Sequence, residues 1–249
     1  MSNTGGPVDN SSHVLAIMSL YTDLATSPDI DFGWAKGKEN ARRLGYDERW
    51  LNALPAIIWE SSAAVGCPFN LGDILPGQTV VDLGCGAGTD LCIAALLCGK
   101  TGKAIGFDVT PAMVNKAKSN AHVLGLGHIE AFEADFSALP LDDESADVVI
   151  SNGSINLSPS KSAVFAEAFR VLKSGGRLQF ADMVRSQVPA ELPADQCESW
   201  ADCVSGTVAP EAYIKMLQQV GFRDAELVGF SDYSTAETTV GALFRAIKS

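Results

Sequence analysis

From residue 79 onward the chain alternates short apolar runs with longer amphipathic ones. Residues 79–83, 103–107, 129–133 and 146–151 are compact, largely apolar and bounded by turn residues, which predicts strands. Between the first two, Leu91, Ile93, Ala94, Leu96 and Leu97 open a helical stretch, and 112–124, 162–172 and 211–220 read the same way. Gly175 and Gly176 turn the chain into a further strand over 177–183, and 224–230 with 239–246 reads as a closing antiparallel pair. Strands alternating with helices specify an α/β fold, a mainly parallel sheet with helices on both faces. Residues 185–206, rich in Pro, Asp and Glu, interrupt the alternation as an insertion.

The first 70 residues follow a different pattern and read as an arm and a helical cap, with 71–249 as the sheet domain. After a polar arm over 1–10, Ser11 or Ser12 can cap a helix whose apolar positions are Val14, Ile17, Met18, Tyr21 and Leu24. Asp31 to Trp34 is turn-like, and a polar segment runs to Gly45. Two helices are expected over 47–54 and 55–65, the second with Pro55 in its first turn. Its small residues Ser61 to Ala64 suit close packing against a ligand or another helix.

The chain has 249 residues, long enough for one α/β domain with additions. A formal charge of -12 opposes binding to nucleic-acid phosphates or anionic membranes. Lys36, Lys38, Arg42 and Arg43 form the one dense basic stretch, read as a solvated helix face. No apolar run is long enough to span a bilayer, and no secretory signal opens the chain. Six cysteines without a C-x-x-C pair fit reduced thiols in the cytoplasm and no zinc framework.

Chemistry concentrates at Asp82-Leu83-Gly84-Cys85-Gly86-Ala87-Gly88-Thr89-Asp90. Glycines at 84, 86 and 88 allow a sharp turn and close approach of a ligand, and the helix that follows offers free amides. The spacing is G-x-G-x-G, whereas the dinucleotide fingerprint is G-x-G-x-x-G. Asp82 would repel a pyrophosphate but suits an ammonium or sulfonium group. Asp108, 20 residues after Gly88, ends the second strand where a carboxylate can accept from a ribose diol. Ala134, Asp135 and Phe136 after the third strand offer an adenine a hydrogen-bond acceptor and a stacking face, and the fourth strand ends at Asn152.

Asp-Leu-Gly-Cys-Gly-Ala-Gly from Asp82, Gly-Phe-Asp108, Glu-Ala-Asp135-Phe and Arg170-Val-Leu-Lys-Ser-Gly-Gly-Arg together resemble the class I S-adenosylmethionine-dependent methyltransferases. The resemblance covers about 75–183 and implies their Rossmann-like sheet and S-adenosylmethionine as cofactor. It implies that Asp82, Gly84, Gly86 and Gly88 orient the methionine part, with Asp108, Val109 and Met113 at the ribose side. Ala134, Asp135 and Phe136 would hold the adenine, Asn152 would reach the sulfonium, and Tyr21 would close over the cofactor from the first helix.

Val65-Gly-Cys67, Ile150-Ser-Asn-Gly-Ser-Ile-Asn-Leu157 and Trp200-Ala-Asp-Cys203-Val-Ser-Gly206 are most similar, within that class, to arsenite methyltransferases. This implies a soft acceptor, a thiol or metalloid, met by Cys67 and Cys203 with Asn156 beside them. Gly153 stands where that family carries a cysteine, and the family's adjacent N-terminal cysteine pair is missing. His13, His122 and His128 lie away from the expected acceptor region, which disfavours an aliphatic alcohol needing a strong base. Glu60, Glu198 and Asp202 are the remaining candidate bases. The partner is thus a small molecule and the protein a monomer or homodimer. A small organic hydroxyl or carbon acceptor, a nicotinamide oxidoreductase and a noncatalytic thiol-based metalloid binder stay open as alternatives.

Overall fold

The computed structural model describes residues 10–186 and 206–249. Its sheet has seven strands: β1 (Thr79–Leu83), β2 (Lys103–Asp108), β3 (Ile129–Glu133), β4 (Ala146–Asn152), β5 (Leu172–Arg185), β6 (Arg223–Phe230) and β7 (Thr239–Ile247). They lie in the order β3-β2-β1-β4-β5-β7-β6. The pairs from β3 to β5 are parallel, while β7 runs antiparallel to both β5 and β6. This is the expected Rossmann-like sheet, parallel in its main part with an antiparallel end.

Two cores explain why the strand sequences are apolar at nearly every position. Val80, Val148 and Ile150 face one layer of helices, α5 (Thr89–Cys98) and α6 (Pro111–Val123). Val81, Leu83 and Val149 face the other, α7 (Lys161–Val171) and α8 (Pro210–Val220). A sheet covered on both faces needs continuous rather than alternating hydrophobicity. The second core is anchored by Phe180, Phe244 and Tyr213, with the two phenylalanine rings stacked 4.9 Å apart.

The N-terminal part contains α1 (Asn10–Thr26), α2 (Gly37–Arg43), α3 (Glu48–Ala53) and α4 (Ala56–Trp59). The basic stretch read as a helix face lies largely on α2, while one local expectation, the second helix, fails. The polar segment before Gly45 contains α2, and its Arg42 is paired with Glu39 and Glu48, so the basic stretch is partly neutralised. The helix expected over 55–65 stops after Trp59, and Pro55 caps it rather than joining it. Residues 61–65 are instead bound to other elements: Ser61 Oγ donates to Leu24 O at 2.9 Å, and Asn152 Oδ1 accepts from Val65 N–H at 2.9 Å. The Val65 bond, together with Gly37 N–H donating to Ser62 O at 2.7 Å, occupies backbone groups that a continued helix would have paired internally. No helix among the described residues is long and apolar enough to cross a membrane.

Candidate functional site

The strand order reverses between β1 and β4, and in an open α/β sheet a crevice forms beyond the carboxyl ends at that point. Here it is a cleft of about 1060 Å³ including its mouth. Its floor is the turn after β1. Gly84 has φ +70°, and a Cβ on it would lie 2.3 Å from Ser154 Cβ, so only glycine fits. Gly88 has φ +81° and caps α5, with a notional Cβ 2.9 Å from Ala117 Cβ, which lets α5 pack close against α6. The turn is fastened by Gly84 N–H and Cys85 N–H donating to Phe107 O, and by Asn120 Nδ2 donating to Ala87 O.

Four carboxylates line this cleft: Asp82, Asp90, Asp108 and Asp135. Asp82 is 2% exposed, and its Oδ2 has no hydrogen-bond partner among the described residues. Burial, then the nearby charges of Asp90 and Asp108, push its pKa well up. Asp108 is oriented by two backbone amides, Gly86 N–H on Oδ2 at 2.9 Å and Thr110 N–H on Oδ1 at 2.8 Å. Burial raises its pKa while those amides pull it down. Asp135 is exposed and accepts from Ser137 N–H and Oγ through Oδ1, both at 2.8 Å.

Asp90, in the first turn of α5, is buried and doubly held. Its Oδ1 accepts from Tyr46 OH at 2.8 Å and its Oδ2 from Asn152 Nδ2 at 2.9 Å. Asn152 at the end of β4 also donates to Gly66 O at 2.9 Å. Burial raises the pKa of Asp90 from 3.8 to about 6, and the bonds from Asn152 and Tyr46 oppose that rise. A carboxyl raised on folding favours the folded state below its unfolded pKa, and that contribution is lost as pH climbs through about 6. The ligand-free protein should therefore lose roughly 2–3 kcal/mol from this group between pH 4 and 7.5. Urea melts across that range should show Asp90→Asn with a flatter pH dependence than the wild type. Equal slopes would refute the assignment.

The opposite wall comes from α1, through Tyr21 and Leu24, and from Ser61 to Ala64. The carboxyl end of α1 is tied down by the Ser61 bond and by Lys116 Nζ donating to Ala25 O at 3.0 Å. Beyond β4 the lining continues through Gly153, Ser154, Leu157 and Ser158.

The structure gathers most of the residues assigned to a cofactor. Tyr21, Asp82, Gly84, Gly86 and Asp108 line the cleft, as do Val109, Met113, Asp135, Phe136 and Asn152. Gly88 and Ala134 do not line it, Gly88 because it packs against α6. The residues assigned to the acceptor fare differently. Cys67 is fully buried beneath the wall, and burial, followed by the charge of Asp90, pushes its thiol up to about 12. Asn156 is also fully buried: its N–H donates to Asp182 Oδ2 at 2.8 Å and its carbonyl accepts from Lys161 Nζ at 2.9 Å. Neither residue lines the cleft. Cys203, Glu198 and Asp202 fall outside the described residues.

Sequence reasoning missed Asp90 and Ser154. Asp90 lay inside the glycine motif, but its role depends on Tyr46 and Asn152, which are 44 and 62 residues away. Ser154 Oγ donates to Leu83 O at 2.8 Å and sits against Gly84, a contact visible only in three dimensions.

Fold and cleft together define a Rossmann-like ligand-binding domain whose crevice is lined by carboxylates instead of by a phosphate cradle. The methyltransferase domain model matches residues 74–221, and the chain belongs to that family. It is 36% identical over 196 residues to an arsenite methyltransferase of Halobacterium salinarum, covering 78% of this chain and 48% of that one. The chain spans about half the length of the curated relatives it matches. An arsenic(III) S-adenosylmethionine methyltransferase from Chlamydomonas reinhardtii superposes with TM-score 0.60 at 26% identity, over 86% of this chain and 74% of that one. Geranyl diphosphate C-methyltransferase from Streptomyces coelicolor A3(2) shares the fold, with TM-score 0.67 at 16% identity over 98% of this chain and 100% of that one.

Proposed function

We propose that this chain is an S-adenosylmethionine-dependent methyltransferase of a small-molecule acceptor. The observation that carries this reading is Asp82: a buried carboxylate at the switch point, one oxygen without a partner among the described residues, on a cleft floored by a glycine turn. A buried carboxyl group with an open oxygen calls for a cationic or hydrogen-bond-donating partner, and a cation favours its ionised form. The charged amino and sulfonium groups of S-adenosylmethionine fit that need, whereas a dinucleotide pyrophosphate would be repelled by Asp82 and Asp108. Asp82 and the turn would hold the methionine part, Asp108 the ribose hydroxyls, and Asp135 with Phe136 the adenine. When bound, the sulfonium supplies an activated methyl group. The chain's own contribution is to orient the two reactants and keep water away.

For the acceptor we infer a soft nucleophile, a thiol or a trivalent metalloid, in a cytoplasmic monomer or homodimer. Its support is the similarity to arsenite methyltransferases and the lack of His or Lys among the described lining residues, since a thiol needs no strong base. In the described conformation Cys67 offers the cleft no thiolate, because the thiol is buried and its pKa raised. A second reading, a small organic hydroxyl or carbon acceptor, draws on the apolar side chains of Val14, Ile17 and Leu157 along the cleft.

A single-turnover assay with labelled S-adenosylmethionine, arsenite and glutathione separates the readings. Methylated arsenic that vanishes in Cys203→Ser is the expected result for the metalloid. Labelled donor consumed only with an organic acceptor would establish the second reading. Metalloid binding with no donor consumed in any arm would leave a noncatalytic binder.

A further inference from the structure

We propose that the acceptor end of this cleft selects by charge: it takes an uncharged or cationic acceptor and turns anionic ones away. The inference rests on the methyltransferase reading and narrows its acceptor class. Four carboxylates line the cleft, and among the described lining residues none is Lys, Arg or His. The stretches outside the described residues, 1–9 and 187–205, contain no Lys, Arg or His either, so they add no cationic side chain wherever they lie.

Two lysines approach the wall from behind, and both are engaged with backbone carbonyls. Lys161 Nζ donates to Asn156 O and Ser158 O at 2.9 and 3.0 Å, and Lys116 Nζ donates to Ala25 O. Neither lines the cleft. A bound donor carries one net positive charge, which Asp82 takes up on ionising, so Asp90, Asp108 and Asp135 keep no counter-charge from it, and the chain's formal charge of -12 adds to the same field. An acceptor bearing a carboxylate or phosphate would enter a region of excess negative charge with no counter-ion.

The opposite is true of a neutral or cationic molecule. Val14, Ile17, Ala63 and Leu157 give an apolar body surface to cover. Asp90 supplies the polar anchor: its Oδ1 accepts from Tyr46 OH and its Oδ2 from Asn152 Nδ2, and each oxygen retains a lone pair for an N–H or O–H donor.

The test uses the full chain loaded with S-adenosylhomocysteine and three probes that share a phenyl body and end in a neutral, a cationic and an anionic group: 2-phenylethanol, 2-phenylethylamine and phenylacetate. Saturation-transfer NMR titrations should give binding of the alcohol and the amine, with phenylacetate weaker by at least roughly tenfold, about 1.4 kcal/mol. Ala63→Lys, which places a cation on the wall, should narrow the gap between phenylacetate and the amine at least about threefold, well under one pKa unit's equivalent. Asp90→Asn should lower the preference for the amine over the alcohol. Phenylacetate binding as tightly as the amine, or no probe binding at all, would overturn the charge rule. Calorimetric titration with S-adenosylhomocysteine is run first. If it does not bind, the methyltransferase reading fails by itself, and the probe ranking on the unloaded protein still decides the charge rule.

Discussion

Asp82→Asn should weaken binding of S-adenosylmethionine at least roughly a hundredfold, about 2.7 kcal/mol, while making the ligand-free protein more stable. Both effects arise from one orphaned oxygen. In the free protein Asp82 is 2% exposed with Oδ2 unpartnered among the described residues, and burial drives its pKa well up. The free site thus holds a buried carboxyl group that is costly to ionise and lacks a partner at Oδ2 among the described residues, and an amide of the same shape removes the cost of ionisation. A cationic ligand needs that carboxylate ionised, so donor uptake should expel a proton and the affinity should rise with pH. Calorimetry in buffers of different ionisation enthalpy measures this release directly, and the Asn variant should lack most of it. Unchanged affinity in Asp82→Asn would sink the assignment of this oxygen to the ligand.

Gly84→Ala should destabilise the protein by roughly 2–5 kcal/mol, combining a left-handed backbone penalty with overpacking. The new Cβ would lie 2.3 Å from Ser154 Cβ and 2.4 Å from its Oγ, at φ +70°. Ser154 cannot easily retreat, because its hydroxyl is bonded to Leu83 O and to Ser151 Oγ, both at 2.8 Å. Removing the obstructing atoms as well, in Gly84→Ala with Ser154→Gly, should recover part of the loss. Urea unfolding of the two single variants and the double variant gives the coupling. Additive losses would mean that the contact does not limit the position.

The sheet and most of the residues lining the cleft were legible in the chain because their signals are local. Each strand from β1 to β4 is a short apolar run, and Gly84, Asp108 and Asp135 each follow one. The closing pair, β6 and β7, was also read from the chain and is antiparallel as expected. The cap was harder. Residues 61–65 have helical composition, yet Asn152 takes the N–H of Val65 and Gly37 N–H takes the carbonyl of Ser62, so their backbone pairs outside a helix. Cys67 shows the same limit for a site residue: its sequence position matched a family motif, but burial against Asp90 and Tyr46 decides what its sulfur can do. Tertiary surroundings set side-chain chemistry wherever the partners lie far apart in sequence.

The join between cap and sheet bears on how such a domain can diverge. Asn152 grips the wall through the backbone of Val65 and Gly66, an amide and a carbonyl that every non-proline residue also possesses. Mutations along the wall can therefore reshape what enters the cleft without undoing the attachment. Transplanting the first 66 residues of a homologue onto this sheet should preserve docking if Asn152, Asp90 and a tyrosine at position 46 are kept. A lineage could thus exchange acceptors by drift in one segment while the donor side stays under separate selection.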